Sequence, residues 1–175
     1  MGFDMGEGTD SFPAVLFVCL GNICRSPMAE GAFRHAAAKA GLAARVDSVG
    51  TASYHIGEAP DPRAIRIANE HGVDIGSLIG RQIHRDDFYT STHIFALDKA
   101  NLQGIKAHAP RDGTAQVSLL NDAVEGLEGR AIDDPYYGDE EDFRRVWSEI
   151  DSAVKVLVER FLAEGRAARF IVSGR

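Results

Sequence analysis

Cysteine is scarce in this sequence: two in 175 residues, Cys19 and Cys24. That excludes the disulfide framework of a small secreted domain. No second Cys or His pair stands at zinc-ligand spacing, the six histidines are scattered, and no H-E-x-x-H occurs, so no metal site is expected. Long apolar runs are missing as well. None approaches the roughly 20 residues that a membrane helix needs. The opening, MGFDMGEGTDSFPA, has glycines and acids where an export signal needs a basic start and an apolar centre. The sequence therefore predicts a cytoplasmic protein with no membrane partner. Cations are in deficit: 19 Lys and Arg against 26 Asp and Glu give a net charge of −7, and the isoelectric point lies near 5.3. General nucleic-acid binding rests on cation–phosphate contacts, so no nucleic-acid partner is expected. Any anionic ligand must be held by a local site. Repeats, linkers and low-complexity blocks are absent too, and the length fits one domain.

What is present suffices for a core: 45% of the residues are hydrophobic and 26% charged. AVLFVC (Ala14–Cys19) is a continuous apolar run, the pattern of a strand buried on both faces. Ser26-Pro27 reads as an N-cap followed by proline in the first helical turn, and Gly41 ends that helix. Further strands are expected at Arg45–Thr51, Ser91–Asp98 and Ala115–Leu120. Asp61-Pro62 repeats the cap-plus-proline signal, and Asp98 reads as the cap of a helix running to about His108. A loop, DDPYYG (Asp133–Gly138), precedes a long helix with Phe143, Val146, Trp147, Ile150, Val154, Leu157, Val158 and Phe161 on one stripe. The domain is expected over residues 13–164. Residues 1–12 read as a flexible leader. Residues 165–175 read as a loose basic tail, although Phe170, Ile171 and Val172 would let it pack. Strands alternating with helices imply an α/β, doubly wound, four-stranded parallel sheet with helices on both faces. Ligands in such sheets bind beyond the carboxyl ends of the strands.

Cys19 and the turn Leu20–Ser26 lie at such an end. The first amides of a helix lack intrahelical partners and point into the preceding turn. Gly21 and Asn22 tolerate left-handed backbone, so the turn can curl its amides inward as an anion nest. Arg25 adds a planar fork that matches two phosphate oxygens. The turn is not a Walker A loop, which needs G-x-x-x-x-G-K-[ST]. It starts with a thiol, and Arg25, inward amides and a helix N-terminus all favour thiolate over thiol. Ser26 is placed to donate a hydrogen bond to that sulfur. A thiolate in an oxyanion cradle suits attack on a bound phosphoryl group.

CLGNICRS (Cys19–Ser26) resembles the C-x5-R-S signature of the low-molecular-weight protein tyrosine phosphatases. C-x5-R alone is shared by several phosphatase folds; its place directly after the first strand, and DPYYG near the C-terminus, are specific to this family. DPRA (Asp61–Ala64), GRQI (Gly80–Ile83) and LDKANL (Leu97–Leu102) also look like family landmarks. The resemblance implies the flavodoxin-like, phosphotyrosine phosphatase I-like three-layer sandwich, and a phosphoric monoester hydrolase that acts on phosphotyrosine and aryl phosphates without cofactor. It implies Cys19 as nucleophile, Arg25 as phosphate clamp and Asp134 as general acid, with Asp133 ranked well behind it. Leu20, Gly21, Asn22, Ile23, Cys24 and Arg25 form the phosphate loop, supported by Ser26, Asn22 and Ser48. Tyr54, Tyr136 and Tyr137 wall the phosphotyrosine ring; Cys24 reads either as a small, partly buried side chain or as a redox partner for Cys19. A phosphotyrosine protein, with tyrosine kinases among the candidates, is the implied substrate of a monomer or weak dimer.

The sequence departs from some family members at one point. Leu78 stands where they carry a histidine that supports the loop asparagine, so Asn22 is expected to be held by Ser48 and Ser26. Two rivals share parts of the pattern. An arsenate reductase on this fold needs two further downstream cysteines to relay a disulfide, and the chain has none beyond Cys24. A non-catalytic phosphate-binding module would keep the loop, but would not need a nucleophile, an acid and aromatic walls together.

Overall fold

The first strand sets the layers. Val15 and Phe17 fall in one apolar core, Leu16 and Val18 in another, which is the period-two alternation of a strand covered on both sides. The structure is a computed structural model that describes residues 12–173, with side chains as far as Ala168. Its elements run β1 (Ala14–Cys19), α1 (Arg25–Ala40), β2 (Arg45–Gly50), α2 (Pro62–Glu70), α3 (Asp87–Thr90), β3 (His93–Ala96), α4 (Lys99–His108), β4 (Gln116–Leu119) and α5 (Glu140–Ser173). The four strands are parallel in the order β2-β1-β3-β4. Each parallel step needs a helical crossover. The chain winds one way from β1 to β2 and returns past β1 to β3, so the topological switch lies at the carboxyl ends of β1 and β3.

Helices α1, α2 and α5 cover the Val15–Phe17 face. Phe143, Trp147, Ile150, Val154, Leu157 and Phe161 of α5 pack there with Met28, Ala29, Ala32 and Phe33 of α1 and Ile67 of α2. Phe17 is fully buried and meets Phe33 edge-on at 5.8 Å and Phe95 in a stack at 5.9 Å. Helix α4 covers the other face through Ile105, and α3 through Phe88. Among the described residues no helix is long and apolar enough to cross a membrane.

Several local expectations change. Helix α1 begins at Arg25, with Cys24 rather than Ser26 at the N-cap position and no side-chain cap. The Ser26 hydroxyl is turned inward toward Cys19 instead of back onto the backbone. Strand β1 has the expected ends, while β2, β3 and β4 are shorter than expected; after β4 the chain turns into a 3-10 helix, Leu120–Ala123. Asp61 and Asp98 do cap α2 and α4, the latter in a reciprocal box with Asn101. Helix α5 runs through Gly165 to Ser173. Ala163, Glu164, Ala167 and Ala168 around it favour helix, and one interior glycine costs only about 1 kcal/mol. The leader, apart from exposed Phe12, and the side chains of Phe170, Ile171 and Val172 lie outside the described residues.

Candidate active site

Strand β1 delivers Cys19 to the switch point, and the chain then curls over it. The Asn22 backbone is left-handed, φ 58°, the sole non-glycine of that kind among the described residues. This brings the Asn22 amide to 3.3 Å from Cys19 Sγ, donating to it. Residues after β2 strap the curl from outside: Thr51 N–H donates to the Cys19 carbonyl at 2.9 Å and Ala52 N–H to the Leu20 carbonyl at 3.0 Å. This contact requires glycine at position 50, where a methyl group would lie 2.7 Å from the Leu20 carbonyl oxygen.

A directed chain of hydrogen bonds lies beneath the sulfur. Glu30, buried in α1, accepts from the Ser48 hydroxyl at 2.8 Å. Its charge is paired with Arg34 at the surface. Because Ser48 spends its proton on Glu30, its oxygen is free to accept from Asn22 Nδ2, 3.1 Å away. Asn22 Nδ2 also donates to Ser26 Oγ at 2.8 Å, and Asn22 Oδ1 accepts the Arg81 N–H at 3.0 Å. With its acceptor side taken, Ser26 directs its own proton to Cys19 Sγ at 3.0 Å; the alternative acceptor, Val49 O, is longer at 3.4 Å. The sulfur thus receives hydrogen bonds from an amide and a hydroxyl, an arrangement that stabilises negative charge. Arg81 is fixed in turn by Asp47 and Asp87.

Arg25 closes the loop and is 2% exposed. Its Nη1 donates to Asp98 Oδ2 at 2.6 Å and to the Ile132 carbonyl at 2.9 Å. Its Nη2 lies 3.5 Å from Asp134 Oδ2. Burial by itself works against this charge, but Cys19, Asp98 and Asp134 more than offset it and hold the guanidinium above its ordinary value. Cys24 is the opposite case. Burial first, then the Asp61 and Cys19 charges, push its thiol far up, so it stays protonated. Both cysteines are buried and unbridged.

The opposite wall is the loop after Ile132, whose N–H donates to the Leu97 carbonyl at 2.8 Å. Asp134 is half-exposed, and its Oδ1 accepts the Tyr136 N–H at 3.1 Å. Arg63 ties this loop to the rest: its fork donates to the carbonyls of Tyr136 at 2.9 Å and Gly138 at 3.1 Å while paired with Asp61 at 2.9 Å. Asp61 N–H donates to the Ile23 carbonyl at 2.8 Å, which links the two loops. Between them lies a cleft of about 230 Å3 lined by Cys19, Ile23, Arg25, Tyr54, Asp134, Tyr136 and Tyr137, among others. Asp133 does not line it; its charge acts on Glu149 of α5.

The structure brings the candidate catalytic, loop and wall residues together. Cys19, the loop, Arg25, Asp134 and the three tyrosines meet at the cleft, and Ser26, Asn22 and Ser48 lie beneath it. Sequence reasoning gave no role to Glu30, Gly50, Arg63 and Arg81, and left Asp98 as a cap or structural carboxylate. The segments DPRA and GRQI, which hold Arg63 and Arg81, were the available signal.

Comparisons with known proteins agree with this arrangement. A profile of the family described as Low molecular weight phosphotyrosine protein phosphatase matches residues 14–167. A protein of that name from Schizosaccharomyces pombe is 43% identical over 132 residues, 74% of this chain and 84% of the relative. Among solved structures, YfkJ from Bacillus subtilis superposes with a TM-score of 0.81 at 35% identity, covering 90% of this chain and 99% of the other. The drosophila arginine phosphatase DARP superposes with a TM-score of 0.77 at 32% identity, covering 84% and 96%. With its own loop, clamp and sheet order alongside those matches, this chain belongs to the low molecular weight phosphotyrosine protein phosphatases, a family of enzymes.

Proposed function

We propose that this enzyme hydrolyses phosphotyrosine in proteins, and aryl phosphates generally, through a phosphocysteine intermediate. The observation that carries the reading is the facing pair across the cleft: Cys19 Sγ under loop donors on one side, and Asp134, 3.5 Å from the Arg25 fork, on the other. The Cys19 thiolate attacks phosphorus. The P–O bond to the phenol breaks, and Asp134 gives its proton to the departing oxygen. Arg25 and the loop amides stabilise the equatorial oxygens as charge spreads over them. Water then attacks the phosphocysteine, Asp134 takes its proton, and the Ser26 hydroxyl stabilises the leaving thiolate. Asp98 orients Arg25 and touches no reacting atom.

The walls favour an aromatic leaving group. Tyr54, Tyr136, Tyr137 and Ile23 offer apolar surface to a ring. Within this reading the enzyme acts as a cytoplasmic monomer or weak dimer on phosphotyrosine proteins, tyrosine kinases among them. Cys24 serves as a redox guard: hydrogen peroxide oxidises the Cys19 sulfur to a sulfenic acid and is itself reduced to water, the Cys24 thiol attacks that sulfur, its proton leaves with the sulfenic hydroxyl as a second water, and the resulting disulfide is reversible by thiols.

The test is turnover of p-nitrophenyl phosphate and a phosphotyrosine peptide by wild type and Cys19→Ser. Activity should vanish in the variant. In wild type it should follow a bell in pH, because the reaction needs an ionised nucleophile and a protonated acid at once. A flat profile from about pH 5 to 9 contradicts the pairing.

A further inference from the structure

A second cavity lies between α1, α5 and the turn that follows α2. It measures about 460 Å3, against 230 Å3 for the catalytic cleft, and the two share no lining residue. That volume is in the range that takes small organic ligands. Ala32, Ala36, Val73, Trp147 and Val158 give it apolar walls.

Trp147 carries the unexplained feature. It is 2% exposed, and its indole N–H is the sole buried side-chain polar group among the described residues with no hydrogen-bond partner. An indole N–H can only donate, and a buried tryptophan ordinarily finds an acceptor for it. The alanines and valines beside it in the cavity wall cannot accept. The His71 ring also lines the cavity and stacks on the indole, with centroids 5.1 Å apart and planes 19° apart. A stacked ring covers the indole face and does not meet its in-plane N–H. His71 is exposed and is fixed through its backbone at the end of α2, so its ring can swing off the indole.

The charges of the lining narrow the ligand. Lys155 is paired with Asp151 at 2.8 Å. Lys39 and Glu159 complete the lysines and carboxylates of the lining. Two lysines against two carboxylates leave no net charge to hold an ion, and an ion entering would lose its hydration without a matched partner. An uncharged ring loses little hydration and gains the apolar walls. The orphaned donor adds the requirement for one acceptor.

We propose that this cavity is a ligand site, separate from the catalytic cleft, for a small uncharged aromatic compound that bears one hydrogen-bond acceptor, a carbonyl or a ring nitrogen. The ring lies among the alanines and valines, and the acceptor meets the Trp147 N–H as the His71 ring swings aside.

Trp147 is the only tryptophan in the chain, so its fluorescence reports on the cavity directly. The probe is benzamide, with benzoate and benzamidine as anionic and cationic counterparts of the same shape. Each is titrated by fluorescence and by calorimetry, with the catalytic cleft filled by saturating inorganic phosphate. Benzamide should shift the Trp147 emission and bind with a Kd of about 1 mM. Benzoate and benzamidine should bind about tenfold more weakly or worse. Trp147→Phe keeps a ring but deletes the N–H, and should weaken benzamide by about three- to tenfold in calorimetry. Ala36→Phe fills the cavity from α1 and should abolish binding, with unchanged p-nitrophenyl phosphate turnover reporting an intact fold. His71→Ala should bind benzamide at least as tightly as wild type. Absence of benzamide binding, equal affinity for the three probes, an affinity that falls as phosphate is added, or an affinity unmoved by Trp147→Phe or by Ala36→Phe overturns the proposal. So does loss of binding in His71→Ala.

Discussion

The two sides of the cleft are built on different principles. The phosphate loop is buried, and its polar groups are met from several elements: Asn22 alone touches Cys19, Ser26, Ser48 and Arg81. The acid loop is largely exposed, with Tyr137 at 97% exposure, and it hangs from Ile132 and from the forks of Arg25 and Arg63. The difference follows from the chemistry each side performs. Charge on the phosphoryl oxygens must be met by donors that need no rearrangement, so that side is preorganised. The acid must meet leaving groups on differing proteins and admit water afterwards, so that side is open.

Substitutions on each side should separate these roles. The largest effect is expected on the acid loop: Asp134→Ala should lower kcat by about 10²–10⁴-fold. The loss should be greater on phenyl phosphate than on p-nitrophenyl phosphate, whose phenolate leaves without much help. Asp133→Ala, which removes an exposed carboxylate outside the cleft lining, should change little; steady-state kinetics on the two substrates check both. On the loop side, Asn22→Gly keeps the left-handed backbone accessible but deletes the side-chain hub. It should cost about 10–100-fold with both aryl phosphates alike, because it misplaces Cys19 and the amides rather than the acid. Equal leaving-group sensitivity in the two variants would erase the distinction between the sides.

The contrast also explains what could be read from sequence. The loop was legible because its parts are contiguous: strand, glycine, asparagine, arginine and helix follow one another within Cys19–Ser26. Asp134 was legible through its Asp-Pro-Tyr-Tyr-Gly setting, and β1 through its unbroken apolar run. Glu30, Arg63 and Arg81 act on partners 18, 73 and 59 positions away, at Ser48, Tyr136 and Asn22, and no local pattern announces such pairs. Ser26 misled for the opposite reason. Ser-Pro is a general helix-start signal, but here the hydroxyl serves the sulfur and the helix starts one residue earlier.

Smaller effects should come from the tether between the two sides. Arg63→Ala should lower kcat on phenyl phosphate by about three- to tenfold and less on p-nitrophenyl phosphate, as the acid loop loses its carbonyl anchor. The smallest effect is on stability. The Arg63 hydrogen bonds and charge hold the Asp61 carboxyl below its ordinary range against the opposing effect of burial. A depressed folded value means that this contribution is fully present above the unfolded value of about 4 and is lost as pH falls through the folded one. The melting-temperature gap between wild type and Asp61→Asn should therefore be widest near neutral pH and close in acid.

The central claim is that Cys19 carries the phosphoryl group between the two halves of the reaction. Its most direct test is the mass of Cys19-containing peptides after p-nitrophenyl phosphate is mixed with wild type and with Asp134→Ala and quenched rapidly in acid. The account predicts a mass increase of one phosphoryl group on Cys19, absent when Cys19→Ser is treated identically. Phosphate release in the quenched time course without any phosphorylated Cys19, or the same label appearing in Cys19→Ser, would contradict it.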